Sequence, residues 1–449
     1  MIGSLTNPLV LFAAVWGTTT LLYLAGVFAG LFPSPHPMAV GALLLNGVAF
    51  PVGYVTWTLF GSLGSPRVGV PLLRTRPATP QRVERALVFT LLMGVIALLL
   101  TGYRVAVIAG RTGTSLLNLI TEPDMLRLRL VSYIEAGTSE ADPLVMLISL
   151  TSSLFAVGFV LLGVFLHLDR RWRKYVYLCA FLAVSFAICL ANLSRAEMTV
   201  QVVALVLAYC AAASHDGRRK SMRMRNLLAP VLGVVVLFAV IEVLLRKGET
   251  YGQADRLRGV LYSFYWYLAS PLAAFNEFVA NFHEQYHLGQ NTFFPVYKWL
   301  HRFDLVGEPS SSIYRESVFV PYRANVYTYL QAFYKDFGIL GVTVAPYALG
   351  TLLAAIQHRA RRHFGFLNLY VILLVTVAFS FFNYRLLSIQ LYMQIAFGFL
   401  LFRYALPDGC TDGDLQGDAE EVLASRWAIT DACVPDPMSP HEQRGRCEV

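Results

Sequence analysis

The sequence predicts an all-α, polytopic membrane protein with about ten transmembrane helices. The chain is 56% hydrophobic and only 14% charged, and its mean hydropathy of +0.55 exceeds that of ordinary soluble domains. Apolar runs of about 20 residues recur, and each is long enough to cross the ~30 Å hydrocarbon core of a bilayer as a helix. Basic residues cluster in alternate connections between the runs, as expected of a multi-pass topology.

The predicted spans form two groups separated by a long polar segment. They are Pro8–Gly30, Pro37–Phe60, Arg85–Ile108, Pro143–Leu166, Tyr175–Ala191, Glu197–Ala213, Leu227–Leu245, Gly338–Ile356, Phe366–Phe382 and Leu386–Tyr404. Residues 1–245 hold the first seven spans, with a loop at 109–142, and residues 338–405 hold the last three. Residues 246–337 form a large, partly helical loop between spans seven and eight. Residues 406–449, with ten acids and three arginines, are predicted to be a disordered tail.

The distribution of basic residues predicts the orientation of the chain. One set of connections contains Arg67, Arg74, Arg76, Arg82, Arg170, Arg171, Arg173, Lys174, Arg218, Arg219, Lys220, Arg223, Arg225, Arg359, Arg361 and Arg362. By the positive-inside rule this side is cytoplasmic, together with both termini, and the loops 109–142 and 246–337 face outward. The net charge of +8 therefore reflects topology, and it gives no support to nucleic-acid binding.

Several classes of function lack support in the sequence. There is no P-loop, no dinucleotide-binding glycine pattern and no G-x-S-x-G elbow, so ATP-driven transport and serine hydrolysis are disfavoured. His283 and His287 are four residues apart in HEQYH, but they do not form H-E-x-x-H and no third ligand is evident. We therefore predict neither a metal nor a cofactor.

Ionisable residues that the topology does not require are candidate functional residues. Arg195, in LSRAEM, and Arg385, in FFNYRLL, fall at short outer turns, where the positive-inside rule disfavours cations. Arg104 and Glu242 lie in or near the outer ends of spans, where they either snorkel, pair with each other or have a function. Two arginines from separate turns could converge on one anionic ligand, because a guanidinium group donates paired hydrogen bonds to phosphate.

The large loop is rich in aromatic residues, which make up 23 of its 92 positions. Its segment Leu261–Val279 is predicted to be an interfacial or re-entrant helix in which Pro271 marks a bend or a new start. Most of the rings would anchor at the level of lipid headgroups, and a minority would stack on sugar rings. Arg246 and Arg323 are further candidates for binding phosphate.

Asp336 lies where the large loop meets the eighth span, and two interpretations are open. Its carboxylate would accept hydrogen bonds from N–H groups at the start of a helix near Gly338. Alternatively, it would take a proton from a hydroxyl acceptor at the membrane boundary. Tyr327 and Tyr334 are similarly interpreted either as anchors of the loop or as substrate contacts.

Four segments and the general layout carry a family resemblance. The segments are NVYTYLQAFYKDFGILG at 325–341, LSRAEMTV at 193–200, LLRKGE at 244–249 and YLASPLAAFNEF at 267–278. Together with a large loop late in a multi-span chain, they resemble the bacterial oligosaccharide repeat unit polymerases of the O-antigen polymerase (Wzy) type, a group that includes the enterobacterial common antigen polymerases. The layout is similar over most of residues 80–405, whereas the acidic tail departs from many members.

The resemblance implies a GT-C-like glycosyltransferase of the bacterial inner membrane. It would polymerise repeat units of O-antigen, capsule or exopolysaccharide on undecaprenyl diphosphate at the periplasmic face, without metal or nucleotide sugar. A chain-length-determinant co-polymerase is a candidate partner. The residues implied in substrate or diphosphate binding are Arg195, Arg323, Arg385, Arg246, Asn325, Tyr327 and Tyr334. Asp336 is the implied base, with Glu316 and His283 as substitutes.

Three other functions remain open at this point. An O-antigen ligase shares the architecture and the use of arginines, so only the NVYT…YKDFG pattern favours a polymerase. A flippase or transporter is disfavoured because transporters place polar groups near the bilayer midplane between repeats. A non-catalytic scaffold of envelope assembly is the third alternative.

Overall fold

The computed structural model describes residues 6–61, 80–111, 113, 143–169, 172–192, 196–215, 256–283, 286–307, 318–324, 326–360, 363, 365–382, 385 and 388–406. Regular structure in these residues is almost entirely helical. The helices are α1 (Pro8–Phe28), α2 (Pro37–Thr56), α3 (Pro80–Arg111), α4 (Pro143–Leu168), α5 (Arg173–Ala191), α6 (Ala196–His215), α7 (Arg256–Ala280), α8 (Phe294–His301), α9 (Leu330–Ala360), α10 (Gly365–Ala378) and α11 (Ile389–Ala405). The strands β1 (Val318–Phe319) and β2 (Arg323–Ala324) pair antiparallel, with Val318 opposite Ala324.

Among the described residues, seven helices are long and apolar enough to cross a bilayer. They are α1, α2 with its π-helical end Trp57–Gly61, α3, α4, α5, α6 and α9. They coincide with the first six predicted spans and with the eighth, so the all-helical, multi-pass class predicted from the sequence is confirmed. The predicted seventh span, Leu227–Leu245, and the predicted tail lie outside the described residues.

Proline marks the starts of several helices. Its ring fixes φ near the helical value, and the N–H that it lacks would have no partner in the first turn. Thus α1 begins at Pro8, and the side-chain oxygen of the preceding Asn7 accepts a hydrogen bond from Leu9 N at 2.9 Å. The helices α2, α3 and α4 likewise begin at Pro37, Pro80 and Pro143. Local sequence therefore determines where these helices start.

The helices observed at the last two predicted spans, α10 and α11, are shorter than the sequence predicts. Helix α10 ends at Ala378 and does not continue to Phe382, because the N–H of Ser380 bonds three residues back in a turn. Helix α11 begins at Ile389, after the predicted start at Leu386. With 14 and 17 residues, the two helices are about 21 and 26 Å long at a rise of ~1.5 Å per residue. Both are shorter than the ~30 Å hydrocarbon core.

Helix α9 is bent at Gly338, whose φ of 59° lies in the left-handed region that favours glycine. The helix begins at Leu330, earlier than the predicted start near Gly338. A side chain at Gly341 would meet the backbone oxygen of Phe333 on the other side of the bend. The residues before and after Gly338 therefore form two arms that fold towards each other.

Helix α7 runs without interruption through Pro271, so the predicted new start at this residue is wrong. Residues 269–276 are buried on all sides, which shows that this half of the helix is enclosed by protein and does not lie flat on a surface. The side chain of Asn276 donates to Ser34 O at 3.2 Å and accepts from His36 N at 2.6 Å. These bonds tie α7 to the connection between α1 and α2.

The membrane helices pack through small residues. Helix α9 follows α2 closely, α4 lies between α3 and α6, and α10 contacts α1, α6, α9 and α11. A side chain at Gly53 would collide with the backbone of Tyr347, and one at Gly350 with the backbone of Phe50. Close backbone approach of this kind is typical of helix pairs in membranes. The α2–α9 pair is therefore in direct backbone contact at these two glycines.

Candidate functional site

The described residues between α10 and α11, which are 379–382, 385 and 388, lie well below one end of the surrounding helices. The hydroxyl of Ser153 donates to Gln390 O at 3.4 Å, and α4 starts at Pro143, ten residues or about 15 Å further out. On the opposite side Trp16 Nε1 donates to Ser380 Oγ at 2.9 Å, and α1 continues for about 18 Å beyond Trp16. We call residues 379–382, 385 and 388 the recessed turn.

The segment that follows β2 reaches the same depth. The N–H of Tyr329 donates to Ser380 O at 2.8 Å, and its hydroxyl donates to Asn46 Oδ1 at 2.6 Å. Asn46 lies nine residues, or about 14 Å, inside α2. Gly350, twelve residues after the bend in α9, packs against Phe50, one turn from Asn46. The first arm of α9 therefore runs outward from Tyr329, and the second arm returns.

Asp336 lies on the first arm and is completely buried. Its Oδ1 accepts hydrogen bonds from Asn291 N at 3.0 Å and Asn291 Nδ2 at 2.8 Å, and its Oδ2 accepts from Thr292 N at 2.5 Å. The segment that contains Asn291 and Thr292 is also held to α9 by a hydrogen bond of 3.3 Å, which His287 N donates to Lys335 O. The predicted cap at Gly338 is thus corrected, because the carboxylate binds the turn that precedes α8.

Arg385 lies in the recessed turn and lines a cavity of about 20 Å³ between α4, α6, α10 and α11. A cavity of this size holds about one water molecule. Its polar lining consists of Arg385, Gln201 from α6 and Gln394 from α11, and its other walls are apolar. The side-chain oxygen of Gln201 accepts a hydrogen bond of 2.5 Å from Ser185, which fixes the position of the amide. Polar groups from two helices and one turn thus converge inside an apolar bundle.

Glu197 is on the first turn of α6, four residues before Gln201 and on the same face of the helix. Burial lowers the pKa of Arg385 to about 10, and the electrostatic attraction of Glu197 opposes this shift. Arg385 is therefore positively charged at neutral pH. Glu197 is exposed at the start of α6.

Two helix N-termini also converge near Arg385. The first two turns of α6 contribute Gln201 to the cavity, and those of α11 contribute Leu391 and Gln394. The N-terminus of a helix carries a partial positive charge and unpaired N–H groups, both of which favour an anion. Around the recessed turn, a positively charged guanidinium group is therefore combined with the partial positive charges of two helix N-termini.

The predicted tyrosines are interior residues. Tyr327 and Tyr334 are 2% and 6% exposed, and the ring of Phe278 lies beside both of them. Tyr334 also packs edge-on against Phe275 and Phe282. This packing favours the interpretation that both tyrosines anchor the segment, and direct contact with a substrate stays a prediction.

The remaining predicted site residues are not brought together by the described structure. His283 is exposed and follows the end of α7. Its spacing of four residues from His287 therefore does not put the two side chains on one face of a helix. Arg323 belongs to β2, and its side chain is outside the described part. Arg195, Arg246, Glu316, Asn325 and Glu242 also lie outside the described residues. Arg104 is half-buried on α3.

Sequence reasoning missed Glu197, Gln201 and Gln394. Glu197 is an acid at the start of a predicted span, and acids in such positions are rare unless they are functional. The acid at this position is therefore a sequence signal for a functional residue, besides being the first residue of the predicted span. The two glutamines gave no signal, because their convergence depends on the packing of α6 against α10 and α11.

Comparisons with protein-family models, with curated proteins and with solved structures find no match to this chain. Within the described residues, no group of three or more His, Cys, Asp or Glu side chains is placed to hold a metal ion. The recessed turn and its surroundings are therefore the part of the molecule that indicates its function.

Proposed function

We propose that the chain is a membrane glycosyltransferase that polymerises oligosaccharide repeat units carried on undecaprenyl diphosphate. The observation that carries the proposal is Arg385, a cation in a recessed turn among apolar helices, with the acid Glu197 nearby on α6. A charge at such a position costs on the order of 3 kcal/mol or more, and proteins keep it where it has a function. The diphosphate headgroup of a lipid-linked sugar is an anion that reaches this position from the bilayer.

The chemistry of glycosyl transfer fits this arrangement. As the bond between the anomeric carbon and the diphosphate breaks, negative charge develops on the leaving oxygen. The guanidinium group of Arg385 and the N-termini of α6 and α11 would stabilise that charge from fixed positions. Arg195, which the peptide bond joins to the first residue of α6, is the proposed second arginine. Arg323 and Arg246 are further proposed ligands of the diphosphate.

The proposed orientation of the chain in the membrane follows from the distribution of its basic residues. The bacterial inner membrane is the proposed location, with the termini in the cytoplasm and the recessed turn open to the periplasmic side. The large loop, residues 246–337, would then cover the acceptor glycan, and its aromatic residues would contact sugar or headgroups. A chain-length-determinant protein is the proposed partner. No part of the proposal assigns a role to the acidic tail.

A deletion strain tests the proposal, with the glycans separated on a gel. Loss of a polymerase leaves a single repeat unit on its normal acceptor and removes the long-chain ladder. Loss of a ligase removes all attached glycan and leaves lipid-linked polymer, whereas loss of a flippase leaves lipid-linked single units on the cytoplasmic face. We expect the first pattern and its reversal by the wild-type gene. An unchanged ladder in a strain without a second polymerase would contradict the proposal.

A further inference from the structure

We propose that Glu197 is the group that takes the proton from the acceptor hydroxyl, and that arrival of the diphosphate at Arg385 makes Glu197 a stronger base. This inference rests on the proposed function and goes beyond it. It assigns the base to helix α6, whereas the sequence pointed to Asp336, Glu316 or His283 near the end of the large loop.

The position of Glu197 supports this assignment. It lies one turn from Gln201, which shares a cavity with Arg385, so the carboxylate is on the face of α6 that looks towards the recessed turn. Glu197 is exposed. Asp336, in contrast, is fully buried and uses both oxygens to bind Asn291 and Thr292. A base needs an oxygen that can approach the acceptor, and Glu197 meets this requirement.

The charges of the site indicate how substrate would activate Glu197. Without substrate, Arg385 and Glu197 interact electrostatically across the site. A diphosphate binds a guanidinium group with paired hydrogen bonds, so it would neutralise Arg385. The Glu197 carboxyl group then lies near a second anion, which makes it a stronger proton acceptor.

The proposed step is balanced in atoms and electrons. The acceptor oxygen forms a bond to the anomeric carbon, while the bond from that carbon to the diphosphate oxygen breaks. The electron pair of the broken bond leaves with undecaprenyl diphosphate, and the hydroxyl proton moves to Glu197. The proton passes to water when product leaves.

The described helices packed against α6 carry several other titratable groups. They are His167 on α4, Arg173, Lys174, Tyr175, Tyr177, Cys179 and Cys189 on α5, Tyr370 on α10, and Tyr392, Arg403 and Tyr404 on α11. Cys189 and Tyr392 are the two among them near this end of their helices, and neither a thiol nor a phenol changes its charge on the acid side. Arg385 stays protonated until about pH 10, so it contributes no change of charge on the acid side. A fall of activity at acid pH would therefore report on the carboxylate.

The test uses the full chain in proteoliposomes with a defined undecaprenyl-diphosphate-linked repeat unit. Substituting Glu197→Gln should lower kcat by about 100-fold or more, leave KM unchanged or lower, and remove the acid limb of the pH–rate profile. Glu197→Asp should keep the acid limb and lower kcat by about 10-fold, because its carboxylate is retracted by one methylene. The matched control is Glu84→Gln, an acid in the first turns of α3 on the side of the basic connections, which should change none of these values.

The outcomes separate this inference from the proposed function. If the wild-type protein makes no polymer, both are overturned. If the wild type is active and Glu197→Gln keeps its kcat and acid limb, only the role of Glu197 is overturned. A purely structural partner of Arg385 would raise KM with the acid limb intact, and that result would also overturn it. Should Glu197→Gln fail to accumulate in membranes, an unchanged kcat in Glu197→Asp would decide against the inference.

Discussion

Arg385 and Asp336 both looked like catalytic residues in the sequence, and the structure gives them opposite environments. Asp336 is fully buried, and three hydrogen bonds from one turn engage both of its oxygens. Arg385 is half-buried, lines a cavity with two glutamines, and has a carboxylate nearby that remains accessible. One charged group fastens two segments together, and the other lines a small cavity with polar side chains from α6 and α11.

The difference shows how a structural charge can be told from a functional one near a membrane. A buried carboxylate is stable when every lone pair that faces the protein has a donor, as at Asp336. A cation in a recess that the protein only partly neutralises has capacity left for an external anion. Removing the first should therefore affect stability, and removing the second should affect activity.

The largest effect is expected at Arg385. Arg385→Ala should reduce polymerisation by about 100- to 1000-fold, because it removes a fixed charge from the leaving group. Arg385→Lys should restore only part of the rate, since an ammonium group lacks the paired donors of a guanidinium group. Rates are measured in membranes normalised to protein content. Arg403→Ala, at the far end of α11, is the matched control and should be nearly as active as wild type.

Asp336 should show the reverse behaviour. Asp336→Ala leaves three buried donors of Asn291 and Thr292 without their acceptor and should lower the free energy of unfolding by about 3 kcal/mol or more. The loss is measured as a lower melting temperature in detergent. Activity per folded molecule should remain, and a stable but inactive variant would instead make Asp336 the base.

A smaller effect is expected where the re-entering segment meets α2. Tyr329→Phe removes the hydroxyl that donates to Asn46 and should cost about 1 to 2 kcal/mol of stability. Thermal unfolding of the purified protein measures it, with Tyr404→Phe, an exposed tyrosine on α11, as control. Equal melting temperatures for the two variants would show that this bond does not hold the segment at depth.

The sequence was sufficient for the helical class and for most helix starts. Hydropathy located seven spans, because an apolar run of 20 residues has few alternatives to a membrane helix. Three predicted starts, Pro8, Pro37 and Pro143, are the first residues of the observed helices. The ends of α10 and α11 were wrong, because apolar residues continue into the recessed turn and hydropathy does not register a change of backbone direction.

The site was only partly predictable. Arg385 was identified because a cation in an apolar environment is unusual in any sequence. Asp336 was given two roles, neither involving Asn291 and Thr292, because these partners are more than 40 residues away and no local pattern signals the contact. The proximity of Glu197 to Arg385 depends on packing between α6 and the recessed turn, which no short motif encodes.

The most direct test is binding of undecaprenyl diphosphate to the purified protein, measured by native mass spectrometry or in nanodiscs. We expect wild type and the folded fraction of Asp336→Ala to bind the lipid with similar Kd values. Arg385→Ala should bind at least about 10-fold more weakly, which corresponds to about 1.4 kcal/mol. Equal binding by wild type and Arg385→Ala, with Arg385→Ala correctly folded, would contradict the assignment of the recessed turn as the diphosphate site.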